Sequence, residues 1–500
     1  MVDEGDGRKA GSDGVDLAAK GSGLNAKVIA LAVAGAVGGF LFGFDSSVVN
    51  GAVDAIEHQF ELEAAVTGFA VASALLGCAV GAEVGGRLAD RFGRIPVMMI
   101  GAILFLISAI GTGFAFGVVD LIIWRVVGGL GIGIASVVSP AYIAEISPRR
   151  ARGRLASLQQ LAIVFGIFTA LLSDALFAAA AGGASEVFWW GLEAWRWMFL
   201  AGAVPAVVYG VVAILLPESP RYLLKVDKED EARRILSQIQ PTEVDRAIGE
   251  IRTSMHEDAQ AAKVKGALRG PVLGLKGIVW IGILLSVFQQ FVGINVIFYY
   301  STTLWSAVGF DESDSFTISV ITSITNIVVT FVAIALVDRV GRRPLLLVGS
   351  AGMTVSLATM AVAFANSVET DGAVSLPGAW GPIALVAANL FVVFFGFSWG
   401  PVVWVLLGEI FPGRIRGRAL GLAAAAQWIA NFLITVTFPP LSDFSLLFTY
   451  GMYAVFAALS FVFVLTKVPE TNGMSLEESE TLFPAKGSAK AGVAADRRGN

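Results

Sequence analysis

The chain has 500 residues, 56% of them hydrophobic and 15% charged, against roughly 45–50% and about 25% in soluble globular chains. With a mean hydropathy of +0.74, it carries more apolar material than a soluble core of this length can bury, so the bilayer is its natural solvent. A formal charge of −5 gives no basic excess and argues against a nucleic-acid partner, while one cysteine (Cys78) and two histidines (His58, His256) exclude a disulfide framework and argue against a metal site.

Residues 1–26 are polar, glycine-rich and mixed in charge. They lack the basic start and short apolar run of a cleaved signal and are expected to form a disordered cytoplasmic tail. From Lys27 onward, apolar stretches of about 20 residues or more recur, each able to cross a hydrocarbon layer of ~30 Å. They predict twelve helices: 27–50, 64–88, 95–117, 118–144, 153–180, 195–216, 275–305, 314–337, 344–366, 380–411, 417–438 and 445–467. The third and fourth are nearly continuous. Between the sixth and seventh, residues 217–274 carry acids and bases in similar number and cannot lie in hydrocarbon; Glu229–Gln240 reads as a short amphipathic helix. The expected organisation is an all-α membrane protein. An N-terminal six-helix bundle (27–216) and a C-terminal one (275–467) are joined by a helical linker (217–274), and a polar tail (468–500) follows.

Arginine and lysine set the orientation. If both tails are cytoplasmic, the inner ends carry Lys27, Arg87, Arg91, Arg94, Arg149, Arg150, Arg152, Arg154, the linker bases, Arg339, Arg342, Arg343, Arg414, Arg416, Arg418 and Lys467. The opposite loops hold acids such as Asp54, Glu57, Glu61, Glu186, Asp311, Glu312, Asp314 and Asp371, with Arg196 as their one exception. Losing one span would invert everything after it, so this segregation supports twelve.

An internal repeat appears next. Gly86-Arg-Leu-Ala-Asp90-Arg91-Phe-Gly93-Arg94 follows the second span, and Asp338-Arg339-Val-Gly341-Arg342-Arg343 follows the eighth. Glu145-Ile-Ser-Pro148 with Arg152-Gly-Arg154 recurs as Glu409-Ile-Phe-Pro412 with Arg416-Gly-Arg418. Motifs recurring six helices later point to parallel repeats, an architecture that holds substrate between its halves near mid-membrane. The acids and arginines are expected to form an inner gate. Glu145 would pair with Arg91, Arg94 or Arg152, and Glu409 with Arg339, Arg342 or Arg416, closing the two bundles on the inside, with Asp90 and Asp338 at the same turns. The alternative is a loop anchored only by positive-inside charge.

Two ionisable residues lie deeper. Asp45 is about 27 Å of helix rise above Lys27, and Arg125 lies about 10 Å below the outer surface on a descending helix. They share a depth, where a lone charge would cost about 2.5–3.5 kcal/mol or more. A facing pair relieves that cost. An acid that gains and loses a basic partner is also a proton site, because burial and the partner act oppositely on its proton affinity; a static buried pair is the alternative. The interior of the second half is otherwise rich in uncharged polar and aromatic groups: Gln289, Gln290, Asn295, Tyr299, Asn326, Trp404, Gln427, Trp428 and Asn431, joined by Gln160 from the fifth span. Amides donate and accept, and aromatic faces stack on sugar CH faces, so a neutral, hydroxyl-rich ligand fits. Helix-to-helix hydrogen bonding is the alternative for any single amide. Glu83, two turns above Asp90, has no assigned role; reaching the inner interface and pairing with a nearby arginine are its two alternatives.

With these motifs in place, the chain resembles the sugar porter family of the major facilitator superfamily from about Lys27 to Glu478, and looks most like its bacterial glucose permeases. The resemblance rests on Gly39-Phe-Leu-Phe-Gly-Phe-Asp45, Gly86 to Arg94, Pro140-Ala-Tyr-Ile-Ala-Glu145, Pro217-Glu-Ser-Pro-Arg221-Tyr, Gln289-Gln-Phe-Val-Gly-Ile-Asn295-Val-Ile-Phe-Tyr299, Asp338 to Arg343, Gly400-Pro-Val-Val-Trp404 and Val468-Pro-Glu-Thr-Asn-Gly473. It implies alternating access around a monosaccharide, with sugar-binding roles for Gln160, Gln289, Gln290, Asn295, Asn326, Trp404, Gln427, Trp428 and Asn431. It also implies a proton-binding role for Asp45 associated with Arg125. Gln427, where many relatives carry asparagine, and Asn472, where they carry lysine, depart from the pattern. The expected function is import of a hexose, glucose first, with a proton as coupling ion and no other cofactor. The expected protein is a monomer in the cell (plasma or inner) membrane. A sugar uniporter and a non-transporting sugar sensor are the alternatives. No nucleophile–base set or phosphate loop suggests an enzyme.

Overall fold

The computed structural model describes residues 26–148, 152–241, 243–263, 268–370, 373–411 and 415–471. Most of the two expected tails, Arg149, Arg150 and Pro412 therefore lie outside the described residues, as do the side chains of Arg152, Arg154 and Asp338. Twelve of the described helices are long and apolar enough to cross a membrane. They are numbered here α1 (Ala26–Val48), α2 (Ala64–Phe92), α3 (Arg94–Gly113), α4 (Val118–Ile146), α5 (Arg152–Ala181), α6 (Ala194–Leu215), α7 (Gly277–Tyr299), α8 (Glu312–Val340), α9 (Arg342–Ala365), α10 (Trp380–Ile410), α11 (Arg416–Phe444) and α12 (Leu446–Lys467). The first six and last six form two helical bundles.

Three departures from the expected spans have local causes. The span expected at 275–305 is not one rod: α7 breaks at Val292–Gly293, and after Tyr300 a separate helix runs Ser301–Ala307. The span expected at 380–411 breaks at Phe397–Ser398; Pro401, one turn on, has no N–H to continue the ladder there. The stretch after α1, expected to be loop, contains a helix at Val53–Phe60. Both internal breaks fall inside apolar runs, where hydropathy cannot register them.

The linker holds helices Pro220–Lys225, Glu229–Ile239 and Val244–Lys263 around a small core of Leu223, Leu224, Ala232, Leu236 and Ile248. Ser219 caps the first of these by accepting the Arg221 and Tyr222 amides. The unit docks on the arginine-rich end of the first bundle: the Tyr222 hydroxyl donates to the Arg91 carbonyl (3.2 Å), Lys225 to the Asp90 carbonyl (2.8 Å) and Lys27 to Gln238 (2.5 Å).

The halves join at the opposite, acidic end. One large core runs from Phe44, Val48 and Trp195 of the first half into the interior of the second. The first half's basic-end core, with Val28, Ala89, Val97 and Ile146, is a separate cluster. Polar contacts follow the same division. Thr302 donates its amide to Asn50 Oδ1 (3.1 Å) and its hydroxyl to the Asn50 carbonyl (2.5 Å), Thr303 donates to Asp54 (2.6 Å), and the Ala184 amide donates to Glu312 (2.7 Å). Arg196 ties α6 to the end of α3, donating to the Ala115 carbonyl (2.6 Å) while pairing with Glu193 (2.5 Å).

Candidate functional site

The deep pair forms. The Arg125 guanidinium lies 3.0 Å from the Asp45 carboxylate, and both side chains are buried. Their shared depth follows from chain directions, since α1 and α4 run antiparallel to one another. Arg125 also stands over the Phe199 ring, 5.7 Å from its centroid, and its Nε has no partner. The pair borders a small cavity whose lining includes Phe42, Cys78 and, from the second half, Tyr299. Tyr299 in turn faces the Asn431 side chain, which accepts from Thr435 (3.2 Å). One continuous set of contacts thus links the ion pair of the first half to an amide of the second.

The remaining amides fall into groups set by the helix breaks. Asn295, just past the α7 break, donates to Gln290 Oε1 (2.6 Å), and Gln290 leans on Gln289 (3.4 Å). Gln289 donates to the carbonyls of Trp399 (2.8 Å) and Gly400 (3.2 Å) at the α10 break. These bonds hold two interrupted helices together and occupy the Gln289 amide N–H groups. Asn326 is buried on α8, facing the end of the first α10 segment near Gly396. Trp428 is half-buried and meets Phe42 of the first half edge-on at 5.8 Å. Trp404 is 45% exposed, between buried Val403 and Leu407 in the sequence. Gln160 is half-buried. Among the described residues, the buried Gln427 Oε1 has no partner, and neither has Oε1 of Gln159, the neighbour of Gln160 and not itself among the expected sugar contacts. Gln159 and Gln427 come from opposite halves, each with an acceptor left for a ligand hydroxyl.

The arginine motifs pair within bundles, not between them. Arg94 forks onto Glu145 (Nε 2.9 Å, Nη2 2.7 Å), and its Nη1 donates to the Ala89 carbonyl (2.8 Å). Arg342 repeats this on Glu409 (3.1 and 2.8 Å) and the Val337 carbonyl (3.1 Å). Both members of each pair belong to one half, so the expected clamp across the bundles is corrected: among the described residues these are struts inside each bundle. They are intact while the polar contacts described between the halves lie at the acidic end. Asp90 adds a flanking contact to Arg94 (3.3 Å) and Arg91 stacks on Phe92. Arg339 is exposed, and Arg416 donates to the Phe411 carbonyl (3.1 Å). Glu83 pairs with Arg87 one turn along α2, exposed at the same end.

Two functional-looking acids escaped the motif reading. Glu218 accepts the Arg94 and Ile95 amides (2.9 and 3.1 Å) at the start of α3, and Glu470 accepts the Arg342 and Arg343 amides (3.0 Å each) at the start of α9. A carboxylate there satisfies orphan N–H groups and the helix dipole together. Gly93 and Gly341 make room for it: φ is +99° and +96°, and a Cβ would stand 2.4 and 2.9 Å from the Glu218 and Glu470 oxygens. The signal was present as a third repeat, Pro217-Glu-Ser and Pro469-Glu-Thr, closing each half.

A repeated pair of bundles, a buried acid–arginine pair and amides at broken helices are the parts of a solute carrier, and comparison with known proteins agrees. A family model described as sugar (and other) transporter matches residues 31–483. The chain belongs to this sugar transporter family. It is similar to the glucose transport protein of Synechocystis, 52% identical over 90% of this chain and 96% of that one. It is similar also to the D-xylose-proton symporter of Escherichia coli, 36% identical over 91% and 96%. The structure resembles a partially occluded inward-open conformation of the E. coli xylose transporter XylE, with TM-score 0.78, 34% identity, and 90% and 100% of the chains covered. As a member of the sugar transporter family the chain is a multi-pass membrane transporter and not an enzyme. Among the described residues no cluster of three His, Cys, Asp or Glu side chains could hold a metal ion.

Proposed function

We propose that this chain is a secondary active transporter that imports a hexose, glucose first, together with a proton, by rocking its two bundles about a central sugar site. The observation that carries the reading is the cavity beside Asp45 and Arg125. It is bordered by Tyr299, which faces Asn431 of the second half's amide set. Sugar held by Gln160, Gln289, Gln290, Asn295, Asn326, Gln427, Trp428 and Asn431, with Trp404 at the rim, would move Tyr299 and so alter the surroundings of the ion pair. Protonation of Asp45 frees Arg125; return of the pair expels the proton. This ties a proton's affinity to a sugar's occupancy without a chemical step, and the membrane potential adds about 2.3 kcal/mol per charge per 100 mV.

The basic end is assigned to the cytoplasm, with both tails inside and the linker as a cytoplasmic domain, in the cell membrane, as a monomer. On that assignment the halves are latched outside and the described conformation faces inward, in keeping with its likeness to the partially occluded inward-open XylE. The glucose preference follows the Synechocystis relative and the proton the E. coli symporter. The former's name mentions no proton, which keeps uniport as the second reading. Purified protein in vesicles decides between them. An inward proton gradient should drive labelled glucose above equilibrium and a protonophore should abolish it; equilibration alone, indifferent to the protonophore, would establish uniport.

A further inference from the structure

Asp174 lies in α5, two turns from its end at Ala181, and is wholly buried. Among the described residues neither carboxyl oxygen receives a hydrogen bond of ordinary geometry; the Gly51 amide is turned toward it without completing one. The site is crowded: a Cβ on Gly51 would stand 2.7 Å from Asp174 Cβ, 2.9 Å from Met198 Sδ on α6 and 2.9 Å from Phe316 Cε1 on α8. Asp174 therefore packs against Gly51, the residue next to Asn50, which takes both Thr302 hydrogen bonds from the other half. The ionisable groups on the elements around it are committed elsewhere. Asp45 and Arg125 hold each other, Asp54 takes Thr303, Glu312 takes the Ala184 amide, and Arg196 holds Glu193 and the Ala115 carbonyl. Glu57 and His58 lie on the short helix beyond Asp54.

A carboxylate removed from water with no counter-charge, and with only the Gly51 amide turned toward it among the described residues, is untenable; the neutral acid is the form such a site accepts. We propose that Asp174 is a second proton-binding site, distinct from the Asp45–Arg125 pair. It is occupied while the halves are latched at the acidic end and exchanges its proton when Asn50 and Thr302 part and water reaches it. The inference rests on the alternating-access reading above and gives the latch its own proton requirement: latching takes up one proton from the acidic side and unlatching returns it there.

The test uses the full chain in lipid vesicles, with spin labels on cysteines placed at exposed Glu61 and Ser313, on opposite halves of the latch, and with buried Cys78 left in place. In an Asp45→Asn, Asp54→Asn background, the short-distance population should fall as pH rises. Adding Asp174→Asn should remove that fall and hold the latch closed throughout; an unchanged titration overturns the proposal. Infrared spectra give a second reading. The latched background chain should show the C=O stretch of a protonated carboxyl that Asp174→Asn deletes. If that variant does not fold, Asp174→Glu should shift the band, and absence of a band assignable to this residue overturns the proposal. Sugar uptake is measured separately. Loss of proton-driven uptake in the wild-type chain would defeat the transport reading, whereas intact uptake with an unmoved titration defeats only this inference.

Discussion

Arg125 and Asp45 stand 3.0 Å apart, both buried, on helices of the same bundle. A pair so placed is strong only while both members are present. Removing one leaves the other charged and buried, at a cost of about 3–5 kcal/mol.

The two single substitutions should therefore differ. Asp45→Asn removes the titrating group but keeps an acceptor for Arg125. It should abolish proton-driven accumulation while leaving sugar exchange across the membrane, measured as counterflow, within a few-fold of wild type. Arg125→Leu strands the carboxylate and should lower the melting temperature of the purified protein more than Asp45→Asn does. Accumulation that survives Asp45→Asn would remove this residue from the coupling.

The bundle struts make a different prediction. Arg94→Met and Arg342→Met each leave a partly buried glutamate without its fork, and each also strips a donor from a helix-end carbonyl. Both should destabilise the protein by about 3 kcal/mol, read as a lower melting temperature. The Glu61–Ser313 label distance should hardly move, because neither arginine reaches the other half. A cross-bundle clamp predicts the reverse: a shifted distance distribution with little loss of stability.

Much of this architecture is legible in the chain itself. Twelve apolar runs, the charge segregation and the six-helix repeat carry the fold, because hydrocarbon thickness and backbone satisfaction leave few alternatives. Depth arithmetic alone brings Asp45 to Arg125. What cannot be read is contact between helices far apart in sequence. The repeat places Glu145 and Arg94 at one membrane face but does not say whether the pair bridges bundles or braces one. The α7 and α10 breaks are hidden because their residues are as apolar as those around them. Asp174 is missed for the opposite reason: it is a lone acid in an apolar run, and the arginine at its depth, Arg125, is already matched to Asp45.

The amide groups separate sugar contacts from scaffold. Gln289 is engaged with two carbonyls at the α10 break, so Gln289→Leu should cost stability as well as transport. Gln427 keeps a free acceptor, so Gln427→Leu should fold normally and raise KM for glucose about tenfold, the scale of one ligand hydrogen bond at about 1.4 kcal/mol. Gln427→Asn, the residue many relatives carry, should restore most of the affinity and change the ranking in a competition panel of glucose, galactose and xylose. An unchanged KM in Gln427→Leu would take this residue out of the sugar site.

Asp54 supplies a pH dependence whose sign can be worked out. It lies outside the spans, between α1 and α2, and its carboxyl is pushed above the ordinary aspartate range. Burial is the largest cause and the Glu57 and Glu312 charges add to it, while the Thr303 hydrogen bond and His58 oppose. A group with raised proton affinity in the latched state stabilises that state fully at pH below its solvent-exposed value, and loses the contribution as pH rises through the raised one. The latched population should therefore be larger in mildly acidic than in neutral medium. Thr303→Val, which deletes the hydrogen bond favouring the charged form, should move this transition to higher pH. Asp54→Asn should flatten it, leaving only the part due to other groups. The Glu61–Ser313 label distance, followed from about pH 4 to pH 8, checks all three; a transition that moved to lower pH in Thr303→Val would show that the hydrogen bond does not favour the ionised carboxylate.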